Sequence, residues 1–126
     1  LSIRRQRQMC IRDRCVDPTS PKVVRATMGA AFRMPIAAAP LEQTVAFLRE
    51  QNMPLHAAAL SESSVPLTRV DLTRAAVMIG NEGRGITKKA AALSTQQIII
   101  PMDGRAESLN ASVAASIIMY EMSRKV

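Results

Sequence analysis

The chain has 126 residues, 48% hydrophobic side chains and a formal net charge of +7, which is typical of one globular domain or part of one. It contains neither an apolar run long enough to span a bilayer nor the apolar stretch of a secretory signal, so we expect a cytoplasmic protein without a membrane partner. Its three aromatic residues are too few to stack several bases, and two cysteines with one histidine fall short of the four ligands of a structural zinc site.

Most of the positive charge lies at the N-terminus. Residues 1–15 contain five arginines and one aspartate, which is +4 of the total +7, and they show neither a helical nor a strand period. The stretch 9–14 (MCIRDR) looks like a translated sequencing adaptor. We therefore interpret residues 1–15 as a non-native or disordered basic tail and residues 16–126 as the domain. The remaining charge of +3 permits a nucleic-acid partner without requiring one.

Helical and strand patterns alternate from residue 17 onward. In chain order they predict helix 21–33, an extended segment at 35–38, helix 41–51, strand 55–60, a polar loop at 61–68, strand 75–79, helix 86–93, strand 97–100 and helix 109–124. The second helix is expected to bury three side chains: Val45, Phe47 and Leu48. The run 75–79 is apolar throughout, which is typical of a strand buried on both faces. The alternation predicts an α/β fold with a parallel sheet flanked by helices.

Three of the five glycines follow the predicted strand 75–79: Gly80, Gly83 and Gly85. Glycine permits a sharp turn and close approach of the backbone to a ligand, although an ordinary strand-to-helix turn explains the spacing equally well. The loop lacks both the lysine ending of a phosphate-binding P-loop and the third glycine of the dinucleotide motif. Glu82, between the glycines, is either a group that orients a substrate or a solvated loop charge.

A second polar loop follows the predicted strand 97–100. Pro101 ends the strand, and the last helix opens with Ser108 and Asn110 in its first turn. This arrangement puts backbone N–H groups and small polar side chains at a strand end, where ligands bind in α/β proteins. Local sequence favours Ser108 as the helix N-cap. His56, in an apolar strand, is interpreted as a core or edge histidine and not as a catalytic base.

Three segments together resemble the catalytic domain of the SpoU-type RNA 2'-O-methyltransferases of the SPOUT superfamily. They are 20–35 (SPKVVRATMGAAFRMP), 77–85 (VMIGNEGRG) and 98–115 (IIIPMDGRAESLNASVAA), and their order and spacing also match. The resemblance implies an α/β knot, with a deep C-terminal trefoil knot, and S-adenosylmethionine as cofactor. It further implies a homodimer to which the last helix contributes. The implied reaction moves a methyl group to a ribose 2'-hydroxyl of rRNA or tRNA, with RNA and not DNA as the partner.

The resemblance also assigns residues to the site. It gives substrate positioning and hydroxyl orientation, as catalytic roles, to Glu82, Ser108 and Asn110. It places the cofactor against the two loops, at Gly80, Asn81, Glu82, Gly83, Ile100, Met102, Leu109 and Asn110. The family's first motif, an asparagine followed by an arginine, has no counterpart before residue 17, and neither has its strand. We therefore expect weak or no methyl transfer from this chain alone. The alternatives are a non-catalytic knotted cofactor- or RNA-binding module and a basic RNA-binding protein without a cofactor.

Overall fold

The computed structural model describes residues 9–11, 17–59, 61–80, 85–103 and 110–124. The chain divides into two compact units, Leu1–Phe47 and Leu48–Val126. The first contains strands β1 (Met9–Ile11) and β2 (Ile36–Ala38), helix α1 (Pro21–Ala26) and a 3-10 turn (Ala30–Phe32), and helix α2 (Leu41–Glu50) continues from it into the second. The second contains strands β3 (Leu55–Ala58), β4 (Val65–Pro66), β5 (Ala76–Ile79) and β6 (Gln96–Ile99), a 3-10 turn (Leu67–Arg69) and helices α3 (Lys88–Leu93) and α4 (Ala111–Arg124). Among the described residues, no helix has the length and apolar character needed to cross a membrane.

The first unit contains a strand where the sequence pattern predicts none. β1 pairs in parallel with β2, and Met9 lies opposite Ile36. Three residues are too few to show a period, so backbone pairing with β2 determines this strand and local pattern does not. The interpretation of residues 1–15 as non-native concerns their origin and stays a prediction.

Helix α1 ends at Ala26, well before the predicted end at residue 33. Met28 has φ 52° and Gly29 has φ 79°, and left-handed residues cannot continue a right-handed helix. The Gly29 N–H donates to the carbonyl oxygen of Val24 at 3.0 Å. This hydrogen bond is typical of an α-helix that ends at a residue in the left-handed conformation. The start is as predicted, since the Ser20 side chain accepts from the Val23 N–H at 3.4 Å.

Helix α2 buries only two of the three side chains expected to face inward. Val45 and Leu48 are 4% and 8% exposed, whereas Phe47 is 42% exposed. Residues three apart share a helix face and residues two apart do not, so a face that buries both Val45 and Leu48 leaves Phe47 outside.

The second unit is built on a parallel sheet, as predicted. The strand order is β4-β6-β3-β5, and every pair is parallel. The segment predicted as a polar loop at 61–68 contributes the short strand β4, whose Pro66 lies opposite Ile99. Among the described strands β4 is an edge strand, where a residue without an N–H is tolerated. β5 is the other edge and is only half-buried, so the expectation that it is buried on both faces is wrong.

The core of the second unit joins α4 to the sheet. Its buried cluster contains Leu67, Val70, Leu72, Ile98 and Ile118. Ile98 lies in β6 and Ile118 in α4, and Met122 packs against the same cluster from the next helical turn. This packing fixes the rotation of α4 about its own axis and therefore the direction of the opposite helix face.

His56 is a core histidine, as interpreted from the sequence. It lies in β3 opposite Val77 and Gln96 and is 4% exposed. Neither ring nitrogen makes a hydrogen bond of good geometry within the described part of the chain. Burial lowers the pKa of His56 below its ordinary 6.5, and the backbone and charge of nearby Asp71 oppose this shift only in part.

We expect the chain to lose stability as the pH falls below 6.5. The unfolded chain binds a proton on His56 near pH 6.5, whereas the folded chain binds it only at lower pH, so the free energy of unfolding decreases between these values. Thermal unfolding followed by circular dichroism across neutral and weakly acidic pH measures the slope. His56→Leu, which cannot titrate, should flatten it in this interval. An unchanged slope in that variant would contradict the assignment.

Candidate functional site

The register of the sheet brings the two predicted ligand loops to one edge, the one at which the carboxyl ends of the parallel strands lie. Ala58 in β3 lies opposite both Ile79, the last residue of β5, and Ile98 in β6. The chain therefore leaves β5 at Gly80 and β6 at Ile100 on the same side of the sheet. Only β3 separates these strand ends, so they lie about 10 Å apart, twice the usual strand spacing. A small ligand can contact both loops across this interval.

The segment 80–85, here called the glycine loop, closes back on its own start. A Cβ added at Gly80 would lie 2.5 Å from the carbonyl carbon of Gly85 and 2.7 Å from the backbone nitrogen of Ile86. No side chain fits there. Gly85 has a left-handed φ of 64°, yet a Cβ at Gly85 would meet nothing within 4 Å. The two glycines thus serve different purposes, since Gly80 permits a backbone contact and Gly85 permits a turn.

Helix α3 begins directly after this loop. The Thr87 hydroxyl accepts from the Ala90 N–H at 3.1 Å and caps the helix. Ala90 is 2% exposed, so the helix start is packed as well as capped. Gly85 and Thr87, which end the loop, are not among the predicted site residues. Gly85 could have been predicted from the sequence, because it is the third glycine of the cluster that contains Gly80 and Gly83.

The second loop starts from a fixed strand end. Ile100 is half-buried and packs against the core cluster that contains Ile98 and Ile118. Pro101 is exposed, and Met102 beyond it is half-buried. Both predicted contact positions of this loop that the structure describes, Ile100 and Met102, are therefore at the edge where β6 ends.

Asn110 caps the last helix. Its Oδ1 accepts from the Ser112 N–H at 2.9 Å and from the Val113 N–H at 3.4 Å. Its backbone oxygen accepts from the Ala114 N–H at 2.9 Å. α4 accordingly begins at Ala111, so the predicted start at residue 109 and the preference for Ser108 as the N-cap are wrong. The side chain of Asn110 is exposed, at the positive end of a 14-residue helix.

The structure thus describes four of the predicted site residues: Gly80, Ile100, Met102 and Asn110. It brings Gly80 and Ile100 to one sheet edge and puts Asn110 at a helix N-terminus. The remaining predicted site residues lie outside the described parts of the chain: Asn81, Glu82, Gly83, Ser108 and Leu109. Their roles stay predictions.

Comparison with known proteins gives consistent matches. The pattern of the SpoU rRNA Methylase family matches residues 5–120. The tRNA (guanosine(18)-2'-O)-methyltransferase of Escherichia coli is 45% identical over 82 residues, which are 64% of this chain and 36% of that protein. The 23S rRNA (guanosine(2553)-2'-O)-methyltransferase of Bacillus subtilis is 28% identical over 111 residues, which are 87% of this chain and 44% of that protein.

A solved structure extends the similarity to the fold. The AdoMet-bound rRNA methyltransferase from Sinorhizobium meliloti superposes with a TM-score of 0.80 and 34% identity, over 93% of this chain and 45% of that one. In all three comparisons, the chain spans less than half the length of the protein it matches. The match to the family begins at residue 5 and so includes part of the segment 1–15.

Proposed function

Because this chain belongs to the SpoU rRNA Methylase family, we propose that it acts in the transfer of a methyl group from S-adenosylmethionine to a ribose 2'-hydroxyl of tRNA or rRNA. The observation that carries the proposal is the meeting of the glycine loop and the end of β6 at one sheet edge. Sheet edges of this kind are where parallel α/β proteins bind their ligands. We also propose that the reaction takes place in the cytoplasm.

The described residues fit a cofactor held largely by main-chain groups. Gly80 carries no Cβ at a point where one would collide with Gly85, so the backbone on the two sides of this loop can close together at the end of β5. Ile100 and Met102 offer backbone groups from the other side of the interval. We assign the remaining contacts to Asn110 and, beyond the described residues, to Asn81, Glu82, Gly83 and Leu109. S-adenosylmethionine, when bound, supplies an electrophilic methyl group.

The chain's own contribution to the chemistry is orientation. A ribose 2'-hydroxyl is a weak nucleophile, so it must be aligned with the methyl group and relieved of its proton. We propose that Asn110, Glu82 and Ser108 hold the hydroxyl and its ribose in place. Support for this comes from Asn110, which is exposed at the N-terminus of a helix that packs against the core through Ile118 and Met122.

Calorimetry with S-adenosylmethionine tests the proposal on the chain itself. We expect saturable binding at one site per chain, together with weak or no transfer of labelled methyl groups to an unmodified tRNA transcript. Absence of binding would overturn the cofactor assignment. If the chain binds the cofactor but transfers no methyl group, even after the family's first motif is added upstream, the result contradicts a catalytic role. The alternative function, a non-catalytic binding module, would then be supported.

We also propose a homodimer formed through α4. Val113, Ile117 and Tyr120 lie on one helix face and are 47%, 36% and 64% exposed. This face is opposite to Ile118 and Met122, which pack into the core. An apolar stripe of this kind on a well-packed helix is typical of a surface that a second copy covers.

Replacing Ile117 with aspartate should convert the dimer to a monomer, because a charge would then be buried at the centre of the interface. Size-exclusion chromatography with light scattering measures the mass. Met119→Asp is the matched control, since Met119 is 40% exposed on a different face of the same helix. Equal masses for the two variants would contradict the assignment of this face.

We further infer the trefoil knot that the family resemblance implies. β6 lies between β3 and β4, which are consecutive in the chain. The connection from β3 to β4 therefore has to cross β6, and it contacts that strand: the Ala59 N–H donates to the Ile98 oxygen at 3.1 Å, and the Ser61 hydroxyl donates to Gln97 Oε1 at 2.7 Å. Passage of the last helix through this connection would make the knot. A crystal structure that traces residues 80–126 decides it.

A further inference from the structure

The two most exposed large apolar side chains among the described residues are four positions apart in the first unit. Met28 is 89% exposed and Phe32 is 69% exposed. Met28 lies in the turn that ends α1, and Phe32 ends the 3-10 turn that follows. Nothing in the proposed cofactor site or in the proposed α4 interface uses either residue.

Backbone hydrogen bonds hold this segment in shape. The Met28 N–H donates to the Arg25 oxygen at 3.2 Å, and the Phe32 N–H donates to the Gly29 oxygen at 3.1 Å. Met28 has a left-handed φ of 52°, a conformation that disfavours a residue with a side chain. Strain of this kind is typical of functional segments, where the surrounding structure fixes the backbone against its local preference.

The charged residues of this segment of the sequence have one sign. From Pro18 to Leu41 the sequence contains no aspartate or glutamate, and it contains three cations: Lys22, Arg25 and Arg33. Arg33 directly follows Phe32, and the Arg25 Nε donates to the Pro21 oxygen at 3.3 Å, along the exposed surface of α1. An exposed ring in a segment that contains cations and no acid matches a polyanion that carries flat apolar groups.

We propose that this surface, made of Lys22, Arg25, Met28, Phe32 and Arg33, binds a single-stranded segment of the RNA substrate. Phe32 stacks on one base, Met28 borders that base, and the cations contact the flanking phosphates. One ring suffices for one base, so the scarcity of aromatic residues is no obstacle. This inference rests on the proposed function, because it names the part of the chain that holds the RNA.

Binding of a labelled RNA to the full chain tests the role of Phe32. The probes are a single-stranded RNA of mixed sequence and the same strand paired with its complement, followed by fluorescence anisotropy. Phe32→Ala should weaken single-strand binding about tenfold, within the range measured for stacking of one base. It should leave duplex binding unchanged, because paired bases are already stacked. Phe32→Trp should retain single-strand affinity.

Two further variants separate stacking from charge. Phe47→Ala removes another exposed phenylalanine, one that lies between the acids Glu42 and Glu50, and it should change neither affinity. Arg33→Gln should weaken binding of both probes and reduce the slope of affinity against salt by about one. Unfolding curves confirm that each variant is folded.

Two outcomes would overturn the inference. One is unchanged single-strand affinity in Phe32→Ala, and the other is a lower molecular mass of that variant in light scattering, which would assign the surface to a second copy of the chain. Calorimetry with S-adenosylmethionine is run on the unsubstituted chain as a separate arm. Failure of that arm rejects the proposed methyl transfer and leaves the RNA result standing, so the two failures are distinguishable.

Discussion

Replacing Gly80 with alanine is expected to abolish S-adenosylmethionine binding and to lower the stability of the chain. The new Cβ would lie 2.5 Å from the Gly85 carbonyl carbon, and the colliding atoms belong to the backbone, so the loop must open. Overpacking of this kind costs about 1–3 kcal/mol. Opening the loop also moves the backbone groups that we assign to the cofactor. Calorimetry measures the affinity, and thermal unfolding measures the stability.

Two other glycines supply comparisons for this substitution, and Gly29→Ala is the matched control. Gly85 and Gly29 both have a left-handed φ, and a Cβ at either would meet nothing within 4 Å. Alanine should therefore cost only about 1–2 kcal/mol of backbone strain at each position. Gly29→Ala, which leaves the loop after β5 unchanged, should retain cofactor affinity, whereas Gly85→Ala should reduce it in part because it distorts the loop end. Undiminished affinity in Gly80→Ala would contradict the assignment of this loop.

Periodicity predicted the elements whose own residues determine them. β3, α2 and β6 lie within about two residues of their predicted positions, because each has a clear apolar pattern and ordinary turn residues at its ends. β4 could not be predicted in this way. It has two residues, one of them proline, and it exists because β6 provides a partner on that side.

The errors at helix ends have a different cause. α1 stops where Met28 is left-handed, and nothing in a methionine signals that conformation. At α4, Ser108 and Asn110 are equally good capping residues by type. The packing of Ile118 and Met122 fixes the helix on the core, and Asn110 is the residue that then meets the first free N–H groups. Tertiary contacts therefore decide between local alternatives.

The candidate site was predictable in its parts and not in its assembly. Glycine content and helix-start residues mark the two loops along the chain. Their meeting depends on the strand order, since β5 and β6 both have to flank β3. The apolar pattern carries no information about order, so only the family resemblance predicted that Gly80 and Ile100 lie close enough together at that edge to contact one ligand.

Asn110 provides the second large effect, because the structure gives it two separable roles. Its Oδ1 caps α4, and we assign its exposed amide to the cofactor and the ribose. Asn110→Ala removes both, so it should lower stability by about 1 kcal/mol and methyl transfer by at least about 100-fold. Asn110→Ser keeps a capping oxygen and removes the amide nitrogen. It should therefore unfold like the unsubstituted chain and still lose transfer.

Transfer in this series is best measured in a chain extended upstream with the family's first motif, because we expect little activity from the 126 residues alone. Cofactor affinity and thermal unfolding are measured on the unextended chain. The serine variant is decisive, since stability and activity change together in the alanine variant whichever role matters. If Asn110→Ser transfers methyl groups at the unsubstituted rate, Asn110 acts only as a helix cap. Only its capping oxygen then matters, and the orientation of the ribose hydroxyl has to come from Glu82 and Ser108.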